Sequence, residues 1–111
     1  MKIISKTLSI EPKAGCVACA MGIIGSKWTA LILRDLVRAP RCFSELERSI
    51  KGINPRTLSQ RLDCLEQQAI ILRQPDTLNK PHVAYSLTKK GTDLIPILEQ
   101  MAIWGTKYLS R

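Results

Sequence analysis

The chain has 111 residues, of which 45% are hydrophobic, so it can build one modest core but is too short for two. Seventeen lysines and arginines against nine acidic residues give a formal net charge of +8. That surplus favours a polyanionic partner such as nucleic acid, although it does not specify a fold. The longest nearly uncharged run, residues 14–26, is too short and too glycine-rich to span a bilayer, and no signal peptide precedes it. We therefore expect a cytoplasmic protein with one domain over residues 14–111.

The first part of the chain predicts an arm and two helices. Residues 1–13 show no clear period and are expected to form an extended or mobile arm. Residues 14–24 are small and apolar enough for a helix, and Gly25 closes it. A second helix opens at Ser26, and its predicted buried face consists of Trp28, Leu31, Ile32, Leu36 and Val37. Its predicted solvent-facing residues are Arg34, Asp35 and Arg38. Pro40 ends this helix, and a short strand is expected at residues 41–42.

The next segment predicts a helix-turn-helix unit. Ser44 and Glu47 stand three residues apart, which is the spacing of a capping box at a helix start. Gly52 suits the left-handed conformation that a tight turn requires after the first helix. Two helices joined by such a turn form the unit whose second helix enters the DNA major groove.

The recognition helix of this unit is predicted at residues 55–69. Asn54 supplies its N-cap, and Pro55 occupies the first helical position, where a missing N–H costs nothing. At about 100° per residue the apolar side chains cluster on one face, predicted to be buried, formed by Leu58, Leu62, Leu65 and Ala69. The positive residues of the helix lie in its first half, as expected if its N-terminal residues meet the bases.

The residue types on the open face predict how DNA is read. Arg56 suits a bidentate contact to guanine and Gln60 a contact to adenine. Thr57 and Ser59 suit phosphate contacts, whereas Arg61 fits either DNA or a neighbouring carboxylate. With the caps and the wing included, the predicted DNA-binding residues are Ser44, Asn54, Arg56, Thr57, Ser59, Gln60, Arg61, Arg73, Asn79, Lys80 and His82.

A β-hairpin is predicted after the recognition helix. Pro75 and Pro81 bracket a polar loop, and residues 82–87 alternate between the two faces of a strand, with Val83, Tyr85 and Leu87 on one of them. Such a hairpin after a recognition helix is a wing, which we place at residues 73–82 on the DNA backbone or in the minor groove.

The C-terminal segment predicts a helix over residues 88–110, capped by Thr88 and bent or restarted near Pro96. Apolar residues cover most of its circumference, so it needs packing on more than one side. We expect the terminal helices, residues 14–24 and 88–110, to form a homodimer interface. Its predicted members are Leu94, Ile97, Leu98, Met101, Trp104 and Tyr108. The alternative is a helix wrapped by its own domain.

Several linked blocks resemble the HxlR-type transcriptional regulators, a branch of the MarR-like winged-helix proteins. They are GSKWTALILRDL at residues 25–36, RCFSELERSIKGINPRTLSQRLDCLE at residues 41–66, YSLTKKG at residues 85–91, and the Trp104-Gly105 pair. The resemblance implies dimeric winged-helix proteins that bind operator DNA, often near genes for aldehyde, quinone or oxidant responses. It covers nearly the whole chain. Family members commonly carry a single cysteine before the first helix, where this chain has Gly15 with Cys16 next to it. Many members also have Arg or Lys where this chain has His82.

The four cysteines are not expected to form disulfides or a metal site. Cys16 and Cys19 have CxxC spacing, but a zinc site needs a second pair or several histidines, and His82 is the only histidine. No cofactor is expected either. Cys19 fits a small core residue, and Cys42 and Cys64 look structural or incidental. Cys16, near a helix start, suits a reactive thiolate that senses oxidants or electrophiles.

Together these features predict a DNA-binding transcriptional regulator. We expect a repressor that binds an inverted-repeat operator as a homodimer, with double-stranded DNA as its partner and a small oxidant or electrophile as its signal. The fold expected is mainly α with a small wing. The alternative is a winged-helix module that binds an acidic protein and no DNA. An enzyme is not expected, because the sequence offers no nucleophile–base pairing, acid pair or phosphate-cradling glycine loop.

Overall fold

Six helices and three strands make up the described part of the chain. The structure, a computed structural model, describes residues 14–75 and 83–109, with side chains from Val17 onward. In chain order the elements are α1 (Ala14–Ile24), α2 (Lys27–Leu36), β1 (Arg41–Cys42), α3 (Phe43–Ser49), α4 (Pro55–Gln67), β2 (Ile71–Pro75), β3 (Val83–Leu87), α5 (Lys89–Thr92) and α6 (Ile95–Leu109). The predicted arm, residues 1–13, lies outside the described residues.

The three strands form one antiparallel sheet in the order β1-β3-β2. Tyr85 at the centre of β3 lies opposite Arg41 of β1 and Arg73 of β2. Pro75 pairs with Val83 at the outer end of the hairpin. A helix-turn-helix followed by a hairpin that returns to this sheet is a winged helix. The predicted fold, mainly helical with a small wing, is therefore confirmed.

One hydrophobic core holds these elements together. Its buried side chains come from α2, from α3 and the turn after it, from α4, and from the start of β2. They are Ile32, Leu33, Leu36, Leu46, Ile50, Ile53, Leu58, Leu62, Leu65, Ile70 and Ile71. Because α4 gives its leucines to this core at a spacing of three or four residues, its opposite face is left at the surface.

The burial of α2 differs from the prediction at four positions. Thr29 and Leu33 are buried although the predicted face omits them. The predicted start is confirmed, because the Ser26 hydroxyl accepts a hydrogen bond from the Trp28 amide at 3.1 Å. Asp35, however, is buried, and Val37 is exposed. Asp35 follows Ile32 by three residues and so lies at the edge of the buried stripe, and Arg34 Nε contacts its carboxylate at 3.2 Å. Val37 falls outside the helix as its C-cap.

Helix α3 begins earlier than predicted. Its N-cap is Cys42, whose amide donates to the Glu45 carboxylate at 2.9 Å. This hydrogen bond is the main reason why the pKa of Glu45 lies below its ordinary value of 4.5. The predicted capping box of Ser44 and Glu47 is wrong, since Ser44 already lies in the first turn and its Oγ contacts Cys42 Sγ at 3.3 Å.

The turn between α3 and α4 has the predicted chemistry. Gly52 adopts a φ of +87°, which is the left-handed conformation that side chains disfavour. Asn54 is the N-cap of α4, and its Oδ1 accepts the Thr57 amide at 2.8 Å. Pro55 is the first residue of the helix. The start of the recognition helix is therefore confirmed.

The end of α4 lies two residues before the predicted one. The helix ends at Gln67, and Ala69 is exposed with a φ of +60°. Ala69 therefore does not belong to the buried face, because the chain has already reversed toward β2. The carbonyl of Ala69 accepts the Thr88 hydroxyl at 2.6 Å, so this exit is tied to the start of α5.

The predicted C-terminal helix is divided into α5 and α6. Thr88 caps α5 as predicted, and Pro96 lies in the first turn of α6. Leu94 and Leu98 pack against the protomer's own core, together with Ile95. Both residues were predicted to lie in a dimer interface, but part of their surface is already covered by the chain's own core. Large apolar side chains that remain exposed on α6 are Ile97, Met101, Ile103, Trp104, Tyr108 and Leu109.

Within the two described ranges, no single helix is both long and apolar enough to cross a membrane. The adjoining segments Val17–Ile24 and Lys27–Leu36 meet that test only when taken together, and they are bent by 76° where they join.

Candidate nucleic-acid interface

The outer face of α4 is a surface of polar and charged side chains held on a rigid support. Leu58, Leu62 and Leu65 are buried beneath it and fix the rotation of the helix. The predicted base-reading residues, Arg56 and Gln60, are both exposed. They lie one turn apart on the same face, at about 40° of helical rotation from each other.

Positive charge is concentrated in the first half of α4. Arg56 is exposed and Arg61 is half-buried, and among the described residues neither forms an ion pair with a carboxylate. The acidic residues, Asp63 and Glu66, lie in the second half. The positive end of the helix dipole adds to this field, so the N-terminal half of α4 is the attractive end for a phosphate backbone.

Residues around the N-terminus of α4 differ in how many of their hydrogen-bonding groups remain available to contact DNA. Thr57 is half-buried, and its amide already donates to Asn54 Oδ1. Asn54 is exposed, and capping leaves its side-chain NH₂ group as a donor. Ser59 is exposed on α4, and Ser44 is exposed on α3. The structure thus gathers the predicted polar residues on and around α4.

The wing divides into a described base and an undescribed tip. Asn79, Lys80 and His82 lie outside the described residues. Arg73 lies at the base, where its Nε is 3.6 Å from Glu66 Oε2 on α4. Tyr85, directly across the hairpin, also interacts with Arg73. Burial is the main reason why the pKa of Tyr85 is raised above its ordinary value of 10.0.

Glu66 and Tyr85 were not among the residues predicted to belong to the site. The alternation in β3 gave a signal for Tyr85, because a seven-residue loop between paired strands places it opposite Arg73. Glu66 carried no comparable signal. Its approach to β2 depends on how α4 packs against the sheet, which is a tertiary feature.

The cysteines occupy different environments. Cys42 is buried, as a structural residue should be, whereas Cys19 and Cys64 are exposed. The prediction of Cys19 as a core residue is therefore wrong, because the described part of the chain leaves the α1 face that carries it exposed. Cys16 lies in the first turn of α1, and its side chain is outside the described set.

Comparison with known proteins identifies this arrangement. The model of the HxlR-like helix-turn-helix family matches residues 23–111. The chain belongs to that family. It is 34% identical over 90 residues to the HTH-type transcriptional regulator YvaP of Bacillus subtilis, covering 81% of this chain and 83% of YvaP. It is 36% identical over 91 residues to the HTH-type transcriptional regulator YodB of the same organism, covering 80% of each.

Solved structures of other transcriptional and redox regulators have the same fold. The reduced form of YodB from B. subtilis superposes with a TM-score of 0.74 at 33% identity, covering 84% of this chain and 91% of YodB. The redox regulator HypR in its oxidized form gives a TM-score of 0.76 at 32% identity, covering 86% of this chain and 98% of HypR. The protein is thus a DNA-binding transcriptional regulator with a MarR-like winged-helix fold, and it is not an enzyme.

Proposed function

We propose that this family member is a cytoplasmic repressor that binds an inverted-repeat operator as a homodimer. Helix α4 lies in the major groove, and the wing lies on the backbone or in the minor groove. The observation that carries the proposal is the outer face of α4, where Arg56 and Gln60 are exposed over a buried leucine seam. A helix fixed in rotation by its own core presents the same side chains to every groove it enters.

The roles of the α4 side chains follow from their positions. Arg56, in the first turn, suits a bidentate contact to guanine, and Gln60, one turn later, suits adenine. Ser59 and the free NH₂ group of Asn54 suit phosphate oxygens, as does the half-buried Thr57 hydroxyl. Arg61 is half-buried at the edge of this face and suits a backbone phosphate. Ser44 on α3 adds one more hydroxyl that can donate a hydrogen bond to a phosphate oxygen.

The homodimer is supported by the surface of α6. No side chain of this fifteen-residue helix is fully buried, although much of it is apolar and only Ile95 and Leu98 pack against the core. An apolar groove of about 600 Å³ runs between α2 and α6, beside this surface. Six large apolar side chains exposed on one helix are typical of a protein–protein interface. A second copy that packs α6 against its counterpart covers it and places two α4 helices on one duplex.

Selection of binding sites from random duplex DNA with the purified protein tests this function. We expect an inverted repeat whose half-site centres are separated by about one helical turn, or a multiple of it, as a two-fold dimer requires. Arg56→Ala is expected to relax sequence choice at one position in each half-site, with a loss of about 1–3 kcal/mol of discrimination. Arg38→Ala, which removes an exposed positive charge outside α4, is the matched control and should retain the selected sequence.

Two results would contradict the proposal. Unchanged sequence choice by Arg56→Ala would remove that residue from base readout. Failure of the wild-type protein to enrich any DNA at moderate salt, with tight capture of an acidic protein, would replace the proposal with the protein-binding alternative. A reporter gene placed behind the selected operator tests repression, since a repressor lowers its expression.

Sensing of an oxidant or electrophile through Cys16 is part of the proposal. Cys16 lies in the first turn of α1, where the helix dipole favours the thiolate, and HypR, which shares the fold, is a redox regulator. We expect a quinone to weaken operator binding of the wild-type protein and to have little effect on Cys16→Ser. Cys64→Ser, which removes an exposed thiol from α4, is the control and should respond like the wild type. An equal response of Cys16→Ser and wild type contradicts the role of Cys16.

A further inference from the structure

The second half of α4 is joined to the base of the wing by charged side chains. Arg73 of β2 places Nε 3.6 Å from Oε2 of Glu66 on α4. The two side chains are 49% and 34% exposed, so the pair is only partly shielded from water. The contact adds a charged link between two elements that also share the hydrophobic core and are joined through the exit of α4, where the backbone reverses at Ala69.

The same arginine reaches across the hairpin. Arg73 and Tyr85 are cross-strand partners, so their side chains extend from the same face of the sheet. Tyr85 is half-buried and packs against the core, and the positive charge of Arg73 acts to lower the pKa of its hydroxyl. The guanidinium therefore lies between a carboxylate of α4 and a phenol of β3, and its planar fork suits two partners at once.

The outer strand of the hairpin, β2, has little buried surface to fix its position. Beyond Ile71, every described residue of β2 is exposed, as is Val83 at the start of β3. Strand β3 is held by the burial of Ala84 and by its pairing with β1, whereas β2 is buried only at Ile71. The position of β2 relative to α4 therefore depends on few buried contacts.

We propose that Glu66, Arg73 and Tyr85 form a positioning cluster that sets the angle of the wing relative to α4. Arg73 acts through Glu66 and makes no phosphate contact of its own. This rests on the proposed operator binding, in which α4 and the wing must contact one duplex together. Glu66 is then a positioning residue, because this acid supports DNA binding through Arg73 although its own charge repels phosphates.

Simple electrostatics predicts the opposite effect of Glu66. A carboxylate at the DNA-facing helix repels phosphates, so its removal should tighten binding if it has no positioning role. If Arg73 contacted a phosphate, removing Glu66 would also free the arginine for that contact. The sign of the effect of Glu66→Gln therefore separates the two accounts.

The test uses the full-length protein and the duplex that it selects from random DNA. Dissociation constants are measured by fluorescence anisotropy at several salt concentrations for wild type, Glu66→Gln, Arg73→Lys, Arg73→Gln and the Glu66→Gln/Arg73→Gln double variant. Asp63→Asn is the matched control, because it removes an exposed carboxylate from the same half of α4 that forms no ion pair with any described residue. Hydroxyl-radical footprints at saturating protein report on α4 and the wing separately.

We expect Glu66→Gln and Arg73→Lys each to weaken binding by about fivefold, whereas Asp63→Asn leaves it unchanged or tightens it. The double variant should be no weaker than either glutamine variant alone, and the salt slope of Arg73→Gln should equal that of wild type. Footprints should lose protection at the wing and keep it at α4. A variant that is merely destabilised would lose both together, so the footprint keeps the proposal testable even if stability falls.

Three results would overturn the inference. They are tighter binding by Glu66→Gln, wild-type affinity in Arg73→Lys, and a salt slope lowered by about one per lost contact in Arg73→Gln. Failure of the wild-type protein to select any duplex is a different outcome, since it removes the proposed function itself.

Discussion

At the scale of single residues, Gly91 shows how tightly the exit of α4 is joined to α5. Gly91 is buried, its amide donates to Thr88 Oγ1 at 3.1 Å, and a Cβ at this position would overlap the carbonyl oxygen of Ile70. Backbone atoms cannot turn aside as a side chain can. We expect Gly91→Ala to lower the free energy of unfolding by about 1–3 kcal/mol, measured by urea denaturation.

Gly22→Ala is the matched control for that substitution. Gly22 lies within α1, and a Cβ there meets nothing within 4 Å in the protomer. Alanine is the better helix former, so this variant should be more stable by roughly 0.5–1 kcal/mol. Equal stability of Gly91→Ala and wild type would show that α5 can move away from Ile70 at little cost.

The residues that sequence predicted correctly are those whose role depends on close neighbours. Asn54 and Thr88 cap helices as predicted, and the helix predicted to open at Ser26 does so, because a cap needs only an oxygen and an amide two or three residues away. Asp35 shows the limit of such reasoning. Its charge predicts exposure, yet the packing of α2 against the core buries it.

At the scale of elements, sequence predicted the order of helices and strands better than their ends. The helix-turn-helix, the hairpin and the restart near Pro96 are all present. The start of α3 was misplaced because Ser44 and Glu47 have the spacing of a capping box, while Cys42 and Glu45 have the same spacing two residues earlier. Cysteine is not among the residues that favour the N-cap position. Cys42 occupies it because the strand at residues 41–42 ends there.

The wing illustrates a different limit. Its strands could be predicted from alternation and proline, because those signals are local. The role of Arg73 could not, since one side chain at the base of a hairpin has the same sequence signal whether it contacts phosphate or Glu66. The distance of 3.6 Å between Arg73 Nε and Glu66 Oε2 favours the second role.

At the scale of the whole molecule, the described residues present two surfaces of different chemical character. The outer face of α4 is polar and positively charged in its first half, whereas α6 exposes aromatic and aliphatic side chains. Sequence predicted this division, because a helix that is apolar on most sides needs more cover than one small domain offers. It did not predict which apolar residues of the C-terminal segment pack inside the chain and which remain exposed, since Leu94 and Leu98 pack against the chain's own core.

The proposed dimer depends on the aromatic residues near the end of α6. Trp104 and Tyr108 are 57% and 60% exposed, with ring centroids 5.3 Å apart. Aromatic residues of this kind carry a large share of interface energy, so we expect Trp104→Ala to raise the dimer dissociation constant by about thirtyfold or more. Sedimentation velocity over a range of protein concentrations measures the shift from dimer to monomer.

Operator binding gives a second measurement of the same substitution. A monomer occupies one half-site, so Trp104→Ala should lose affinity for the full inverted repeat while keeping the wild-type affinity for an isolated half-site. Leu72→Ala removes an exposed apolar side chain from β2 and should dimerise normally, which makes it the control. If Trp104→Ala sediments as the wild type does, the exposed face of α6 is not the dimer interface. Two α4 helices would then have to be brought to the operator by another surface.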